Sequence, residues 1–393
     1  VPNIRFPEFK EEWEECRLGE VATIVGRIGF RGYTINDIVE KGMGAIALSP
    51  TNIVNNQLTY DKDNTYISLY KYEESPEIMI KEGDIIFVKT GSTVGKVAYV
   101  DKLICKTTLN PQVVVLKDIQ CNNYYLYAIM STHYFQNNIQ KITVGGAVPT
   151  LSQAAMSNIV ISLPFVKEQN KIAKFLSLLD ERIATQNKII DKLESLIKGI
   201  SRKLLDEEEG HYVSLENILK ERIEKTTINN QYEVLSSTVN GIFIQREYFS
   251  REIASSNNVG YKVLRLNEIV LSPQNLWMGN INYNKSFKIG IVSPSYKIFS
   301  IADCYDKDFI AALLKTNRAL YNYALASEQG ASIVRRNLNI EAFKQIVFKL
   351  PSYKKQCQIG KTISLLEKSL ENNMKLKNSY ELQKTYLLRQ MFI

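Results

Sequence analysis

The sequence predicts an α+β protein in which two strand-rich α/β domains are separated by two long antiparallel α-helices that form a coiled coil. Three observations support this fold class: an internal repeat, a heptad pattern of apolar residues after each copy of the repeat, and segments of β-branched and aromatic residues between turns. A chain of 393 residues is also longer than one hydrophobic core usually serves. The arrangement is a tandem duplication, which gives the fold a pseudo-twofold axis.

The internal repeat is clearest between residues 157–182 and residues 344–369. The first segment reads SNIVISLPFVKEQNKIAKFLSLLDER and the second reads KQIVFKLPSYKKQCQIGKTISLLEKS. At a constant offset, both contain an Ile-Val pair, a Leu-Pro pair, a Gln and a Leu-Leu pair. Because solenoid repeats are only about 20–50 residues long, this longer period indicates a duplicated unit made of a domain and a helix.

A heptad seam of apolar residues, spaced alternately by four and three, follows each Leu-Pro pair. This spacing is typical of a helix that packs along one face. Pro164 and Pro351 are expected to start the helices, because the N–H that proline lacks has no helical partner there. The first seam contains Ile172, Leu176, Leu179, Ile183, Ile190, Leu193, Ile197, Ile200 and Leu204, interrupted by Gln186, and the second contains Ile359, Ile363, Leu366, Leu370, Tyr380, Leu387 and Met391, interrupted by Asn373, Lys377 and Lys384.

Two packing arrangements fit these seams: each helix lies on its own domain, or the two helices pack on each other. The duplication favours an antiparallel coiled coil, because the intervening domain returns the chain between the helices. Pairing the seam midpoints places Gln186 opposite Lys377 and Asn373 opposite Ile190, a polar layer that can fix the register. The predicted boundaries are a first domain at 1–160, a first helix at 161–209, a second domain at 210–350 and a second helix at 351–393.

Each domain contains a strand–loop–strand segment at a matching place. GDIIFVKTGSTVGKVAY at residues 83–99 aligns with NEIVLSPQNLWMGNINY at residues 267–283, and the alignment keeps Gly95 and Gly279. The connection in the first copy is similar to a phosphate-binding loop but lacks its residues, because Thr90 and Val97 replace the first Gly and the final Ser or Thr of G-x-x-x-x-G-K-[ST]. The following VAYV also predicts a strand, whereas a phosphate-binding loop leads into a helix.

The two connections keep one backbone pattern but carry different side chains, as two modules that bind different DNA sequences would need. Lys can contact guanine or phosphate, Gln and Asn can pair with adenine, and small hydroxyls adapt to either. For each of these residues the alternative is a solvated loop side chain. We expect DNA contacts from loop A (residues 89–96), loop B (residues 272–280) and nearby arginines, namely Arg27, Arg31, Lys89, Thr90, Ser92, Thr93, Lys96, Ser272, Gln274, Asn275, Trp277, Asn280, Arg335 and Arg336.

Composition narrows the possible function classes. The net charge of +8 is modest for this length, and the excess of positive charge lies in the second half of the chain. Five scattered cysteines without a C-x-x-C pair, together with two histidines, predict neither a disulfide framework nor a metal site. No apolar run reaches the roughly 18 residues of a membrane span, so we expect a cytoplasmic protein with no membrane partner. No combination of acid, base and nucleophile indicates an enzyme.

The duplicated I-V-x-x-L-P…K-x-Q-x-x-I junction, followed by a heptad helix, resembles the specificity subunit of type I restriction–modification systems. The opening RFPEFKEEWEECRLGEVA is similar to the N-terminus of many members, and the plan of two domains and two helices covers the whole chain. No single motif is diagnostic, and the order and duplication of the motifs carry the resemblance.

The resemblance implies that each domain is a target recognition domain for one half of a bipartite, asymmetric site in double-stranded DNA. It implies that two methyltransferase subunits dock on the helices and bind S-adenosylmethionine, that restriction subunits can join them, and that this chain binds no cofactor and is not catalytic. In agreement, the sequence lacks the [DNS]-P-P-[FYW] motif of adenine methyltransferases. Lys377 and Lys384 depart from an apolar seam, so either the coil is less regular there or these lysines contact a partner subunit.

Two other functions also fit the sequence: the specificity component of a system in which cleavage and methylation share one polypeptide, and a coiled-coil adaptor that binds proteins or sugars. The composition of the partner distinguishes the first, and salt-sensitive DNA binding excludes the second. A seam from Ile172 to Leu204 is about 48 Å long, or about 14 base pairs. Deleting a heptad from both helices is therefore expected to change the gap between half-sites and to leave their sequences unchanged.

Overall fold

The computed structural model describes residues 2–60, 63–146, 148–205, 210–249, 257–329 and 336–392. The chain divides into two compact units. The first unit comprises Val1–Asn187 with Leu376–Ile393, and the second comprises Lys188–Lys375. The first unit is therefore built from two separate stretches of sequence.

The first unit is an α+β domain with one large sheet and two smaller ones. The large sheet has the strand order β2-β10-β7-β8-β5-β4, a second sheet has the order β6-β3-β9, and β1 pairs with β11. The elements are β1 (Glu14–Arg17), α1 (Leu18–Val21), β2 (Thr23–Gly26), β3 (Ala45–Leu48), β4 (Ile53–Val54), β5 (Gln57–Leu58), β6 (Thr65–Ile67), α2 (Leu69–Glu73), β7 (Ile85–Val88), β8 (Val97–Tyr99), β9 (Thr107–Leu109), β10 (Val113–Lys117), α3 (Asn123–Met130), α4 (His133–Ile142), α5 (Gln153–Ser157), β11 (Val160–Leu163) and the first half of α6 (Val166–Leu205).

The second unit is also α+β. Its main sheet has the order β13-β20-β17-β18, and four further strand pairs are β12-β23, β14-β15, β16-β19 and β21-β22. The elements are β12 (His211–Ser214), α7 (Leu215–Ile218), β13 (Leu219–Glu221), β14 (Leu235–Thr238), β15 (Gly241–Ile244), α8 (Gln245–Tyr248), β16 (Lys262–Arg265), β17 (Glu268–Leu271), β18 (Ile281–Tyr283), β19 (Ile289–Val292), β20 (Lys297–Ile301), α9 (Lys307–Leu313), α10 (Asn317–Leu325), β21 (Ser327–Gln329), β22 (Arg336–Leu338), α11 (Ile340–Lys344), β23 (Val347–Leu350) and α12 (Tyr353–Gln390), whose last part belongs to the first unit.

The central strands are apolar at nearly every position because both faces of the sheet are covered. Alternate side chains of a strand point to opposite faces. In the first unit, Phe87 and Leu116 belong to the apolar cluster that contains α3, while Ile86 and Val115 belong to a cluster on the other face. The runs IIFV and VVVL therefore lack the polar alternation of a half-exposed strand.

The duplication is visible in the strand order. In both units the main sheet contains four consecutive antiparallel strands in matching order, β2-β10-β7-β8 in the first and β13-β20-β17-β18 in the second. Each unit also pairs its first strand with the strand before its long helix, β1 with β11 and β12 with β23. These features confirm the predicted α+β fold class.

The glutamine of each repeated junction makes the same two hydrogen bonds in both units. Gln169 and Gln356 are both almost completely buried. In each copy the side-chain amide donates to the carbonyl of the repeated proline. The amide oxygen accepts from the backbone N–H of the N-cap residue of a helix in the domain. The partners of Gln169 are Pro164 at 2.8 Å and Asn122 at 2.9 Å, and those of Gln356 are Pro351 at 2.9 Å and Asp306 at 3.2 Å.

The first turn of α6 differs from the prediction in one detail. The helix begins at Val166, and the carbonyl of Phe165 accepts the N–H groups of Glu168 and Gln169. Pro164 therefore lies just before the helix and not in its first turn, because Phe165 supplies the first helical carbonyl, while the carbonyl of Pro164 accepts from the side chain of Gln169. Pro351 has the same place ahead of α12, which begins at Tyr353.

Within the first unit, the start of α6 and the end of α12 run antiparallel. Lys384 Nζ lies 2.6 Å and 2.8 Å from the two carboxylate oxygens of Asp180. The guanidinium of Arg182 lies 6.0 Å from the ring centre of Tyr380. Residue numbers therefore rise along α6 as they fall along the facing part of α12. The pairs Asp180–Lys384 and Arg182–Tyr380 fit the predicted register, in which Gln186 lies opposite Lys377.

The seam of α6 takes part in two kinds of packing. Ile172 and Leu176 are buried in the same cluster as Tyr125 of α3, so this part of the helix lies on its own domain. Leu387 and Met391 of α12 belong to that cluster too. The two arrangements considered from the sequence therefore coexist in the first unit.

The second unit repeats this arrangement with the helices exchanged. Ile359 and Ile363 of α12 are buried with Phe309 of α9, and Ile200 of α6 packs against the same cluster. Leu179, Ile183 and Gln186 of the seam are also buried, burial is less complete at the other described seam positions, and the side chain of Leu204 lies outside the described residues. The half-buried seam residues are Ile190, Leu193, Ile197, Leu366, Leu370 and Tyr380.

Candidate nucleic-acid interface

Loop A connects β7 to β8 and is fastened by its backbone. Lys89 donates its N–H to the carbonyl of Gln112 at 2.9 Å, and its own carbonyl accepts from Leu151 at 2.8 Å. Gly91 donates to the carbonyl of Pro149 at 2.9 Å. The segment that precedes α5 therefore holds the loop in place from one side.

The end of loop A requires glycine. Gly95 has a φ of +99°, and a Cβ atom there would lie 2.5 Å from Oε1 of Gln136. Its carbonyl accepts from Nε2 of Gln136 at 2.8 Å, which joins the loop to α4. Lys96 then leads directly into strand β8, so this loop does not open a helix and cannot hold a phosphate as a phosphate-binding loop does.

Loop B connects β17 to β18 with the same backbone plan. Ser272 donates its N–H to the carbonyl of Asn280 at 3.0 Å, which closes the loop. Gly279 has a φ of +93°, and its carbonyl accepts from Nζ of Lys315 at 2.9 Å. A short 3-10 turn at Leu276–Met278 carries Trp277.

The segment that precedes α11 fastens loop B, as the segment before α5 fastens loop A. Arg336 donates its N–H to the carbonyl of Gln274 at 3.2 Å. The guanidinium carbon of Arg336 lies 4.4 Å from the ring centre of Trp277. Thus the structure brings together three residues, Gln274, Trp277 and Arg336, that the sequence only proposed one by one.

Most predicted contact residues of the two loops have some exposed surface. Ser92 is exposed, and eight further residues have side chains that are partly exposed. Nζ of Lys96 also lies 3.3 Å from the carbonyl of Ile53, which turns its charge toward its own domain. The partly exposed residues are Lys89, Thr90, Thr93, Lys96, Gln274, Asn275, Trp277 and Arg336.

Arg27 is buried, which argues against its predicted contact with DNA. Its guanidinium donates to the carbonyl of Leu109 at 2.8 Å, to the carbonyl of Arg31 at 3.1 Å and to the hydroxyl of Thr108 at 3.2 Å. It also lies 5.4 Å from the ring centre of Tyr33. Burial lowers the pKa of Arg27, and these partners hold it inside the first unit. Arg31 remains partly exposed.

Two predicted residues of loop B are structural. Ser272 and Asn280 are 1% and 4% exposed. The side chain of Asn280 donates to the carbonyl of Ser237 at 2.9 Å and accepts from the hydroxyl of Ser237 at 2.8 Å. These bonds fasten loop B to strand β14, and because Asn280 is buried its amide faces the interior of the second unit and not a base. Arg335 lies outside the described residues.

The structure also accounts for one of the two lysines on the second seam. Lys384 binds both oxygens of Asp180, and the hydroxyl of Tyr124 donates to the same carboxylate. Burial, followed by the charge of Asp180, raises the pKa of Tyr124. Lys384 is therefore matched by a charge in its own chain, and Lys377 lies 3.7 Å from Glu381 on α12.

An aromatic group in the second unit was not among the predicted contacts. The rings of Phe243 and Tyr248 are stacked with centres 4.6 Å apart, and Phe249 lies edge-on to Tyr248 at 4.9 Å. Tyr248 is 41% exposed. The density of aromatic residues in GIFIQREYF is the sequence signal that could have indicated this group. A stack of this kind can receive an unpaired base.

No helix in the described part of the chain is long and apolar enough to cross a membrane. Within the same residues, no group of three or more His, Cys, Asp or Glu side chains is arranged to hold a metal ion.

Comparisons with known proteins agree with this architecture. Residues 10–195 match the family model described as type I restriction modification DNA specificity domain. Over 130 residues the chain is 33% identical to the type I restriction enzyme MjaVIII specificity subunit of Methanocaldococcus jannaschii, an alignment that covers 33% of this chain and 29% of that protein. The aligned part thus spans less than a third of the length of this relative.

Two solved structures have a similar fold along nearly the whole chain. The S subunit of a type I restriction-modification system from M. genitalium has a TM-score of 0.66 at 15% identity, covering 100% of this chain and 99% of that one. A chain from a structure of type I R-M complex assembly has a TM-score of 0.50 at 14% identity, covering 97% of each. At these identities the likeness establishes the fold.

Proposed function

We propose, from the match of residues 10–195 to the family model described as type I restriction modification DNA specificity domain, that this chain is the DNA sequence-recognition subunit of such a system. In this proposal each unit contacts one half of a bipartite, asymmetric site in double-stranded DNA. Because the two halves are bound by separate units, their sequences are independent of each other.

One observation carries the proposal. Loop A and loop B are each closed by an equivalent backbone bond, from Val88 N–H to the carbonyl of Lys96 and from Ser272 N–H to the carbonyl of Asn280, and each is fastened to the segment that precedes α5 or α11. Both end in a glycine whose carbonyl is bound by a side chain of the following helical region. The side chains that these two frameworks hold are different. Sequence specificity depends on side chains that contact base edges, so a constant backbone with variable side chains is suited to recognising two unlike sequences.

The proposed partners are two methyltransferase subunits, each of which binds S-adenosylmethionine and methylates an adenine, together with restriction subunits. This chain supplies no catalytic group and no cofactor in that scheme. The proposal of two docked subunits is supported by a duplicated exposed surface. Leu178 on α6 and Leu365 on α12 hold matching places in the repeat and are 42% and 60% exposed. Two similar apolar positions suit two identical partners.

Mapping methylated adenines in a host that expresses the chain with its methyltransferase partner tests the proposal. The expected result is one bipartite motif with two unlike halves, and loss of methylation when the chain is omitted. A gel-shift titration with and without the methyltransferase gives the second measurement. The affinity of the complex for DNA is expected to fall steeply with salt. Methylation of the same motif without this chain would contradict the proposal.

A further inference from the structure

We propose that Arg336, held over Trp277, recognises a guanine in the DNA half-site bound by the second unit. The inference rests on the proposed function and adds to it the identity of one base and the residue that selects it. It makes Arg336 a specificity-determining residue and Trp277 the residue that positions it.

The contacts of Arg336 fix both ends of its side chain. Its backbone N–H is bonded to Gln274 of loop B, and its guanidinium lies 4.4 Å from the ring centre of Trp277. A cation within about 6 Å of an indole centre is attracted to the negative face of the ring. The side chain is therefore restrained before any ligand arrives, which lowers the entropy that binding must remove.

The hydrogen-bonding groups of Arg336 remain available. Among the described residues, the contact found for its guanidinium is the one with the ring of Trp277, and Arg336 and Trp277 are both partly exposed. Contact with an aromatic face uses the face of the guanidinium, whereas its N–H donors point outward in the plane. Such a group is free to donate to two acceptors at once.

Guanine is the base that matches this donor arrangement. In the major groove its O6 and N7 are adjacent acceptors, and a bidentate arginine is the commonest specific contact to them. Adenine presents one acceptor and one donor at the same edge, so a guanidinium binds it less well. Lysine has a single rotating ammonium group and cannot reproduce this planar fork.

The first unit lacks this pair. Counting from the repeated Leu151 and Leu338, Arg336 corresponds to Pro149, and counting from the repeated glycines, Trp277 corresponds to Thr93. Pro149 keeps a backbone bond to loop A, through its carbonyl, but has no side-chain donor. The guanine contact is therefore confined to one half-site.

The test combines methylation mapping with binding to altered duplexes, using the full chain with its methyltransferase partner. Wild-type protein is expected to prefer guanine at one position by about 5–150-fold, the range that a bidentate contact gives. Replacing that guanine with 7-deazaguanine, which lacks N7, should weaken wild-type binding and leave Arg336→Ala unaffected. Arg336→Lys should lose the preference although its charge is kept, and Trp277→Phe should retain more of it than Trp277→Ala.

Two control variants exclude effects that any similar substitution would have, and the melting temperature of each variant excludes loss of folding. Arg202→Lys makes the same exchange at an exposed position of α6, and Thr93→Ala alters the matching position of the first unit; neither should change the guanine position. If Arg336→Ala weakens binding to all duplexes by one factor, Arg336 contacts phosphate and the inference is wrong. A wild-type second half-site without guanine would also refute it and leave the proposed function intact. Absence of any specific site would overturn both.

Discussion

In the first unit, loop A is fastened to Pro149, whereas in the second unit loop B is fastened at the matching position to Arg336, whose guanidinium lies over Trp277. Both loops are fastened through the backbone, but loop A donates from Gly91 to Pro149 whereas loop B accepts at Gln274 from Arg336, and the side chains that the loops present also differ. The comparison separates two kinds of residue: the glycines that end the loops are repeated, whereas the other loop residues differ, including structural ones such as Asn280, which stands where loop A has Lys96. Gly95 and Gly279 belong to the first kind.

The long helices show a second difference between the units. Asp180 and Glu367 hold matching places in the repeat. In the first unit Asp180 binds Lys384 of α12, and both side chains are 17% exposed. In the second unit Glu367 is 47% exposed and binds Lys285, a residue of the domain itself. The same acidic position therefore joins two helices in one unit and a helix to a surface residue in the other.

The largest predicted effect follows from removing the acidic residue of the first unit. Asp180→Ala leaves Lys384 largely buried without its partner, and breaking such a pair destabilises a protein by about 3 kcal/mol. Urea unfolding of the full chain measures this change. The double variant Asp180→Ala with Lys384→Met should recover most of the stability, because no unpaired charge then remains. Equal losses in the single and double variants would show that the ion pair is not the cause.

The next effect tests whether the two junctions are equivalent. Gln169→Leu and Gln356→Leu each leave a buried N–H and a buried carbonyl without a partner, which costs about 1–3 kcal/mol. Because the bonds are the same in both copies, the two losses in unfolding free energy should agree closely. A much smaller loss in one unit would mean that the repeated glutamine has a structural role in the other unit only.

These equivalences could be foreseen only in part. The repeated proline and glutamine lie close together in both copies of the sequence. The duplication and the α+β fold could therefore be predicted from local sequence patterns. The role of the glutamine could not, since its acceptor and donor partners include Asn122, 47 residues away. The burial of Arg27 was equally hidden, because its partners Thr108 and Leu109 are about 80 residues distant and meet it only in the folded sheet.

The residues of the candidate site were proposed from residue type, whereas the contacts between them could not be foreseen. Trp277 and Arg336 were both proposed from residue type, but nothing in their separate sequence contexts indicated that one lies over the other. Lys384 was noted as an exception to an apolar seam, yet its partner Asp180 is 204 residues away. Contacts of this range arise from tertiary packing, and heptad spacing alone does not specify which charges meet.

A smaller effect is expected at the glycines that end the two loops. Gly95→Ala forces an L-residue into a left-handed φ and brings its Cβ against Gln136, so it should destabilise the chain by about 1–2 kcal/mol. Gly279→Ala has the same backbone cost, but its nearest neighbour is a methyl of Leu320 at 3.1 Å, so about 1 kcal/mol is expected. Thermal unfolding of both variants gives the comparison. The reverse order would mean that Gln136 moves aside freely.

The smallest effect is predicted for the acidic residue of the second unit. Glu367→Ala removes a contact that is nearly half exposed, and such ion pairs contribute about 0.2–1 kcal/mol. The loss should shrink further at high salt, because screening weakens exposed pairs. Urea unfolding at low and high salt measures both quantities. A loss as large as that of Asp180→Ala would remove the distinction between the two units.

Replacing residues 89–96 of loop A with a different loop and mapping methylated sites tests the central claim most directly. The account predicts that one half of the bipartite motif changes and that the other half and the gap between them stay the same. If both halves change together, the two units do not recognise DNA independently, and the account is contradicted.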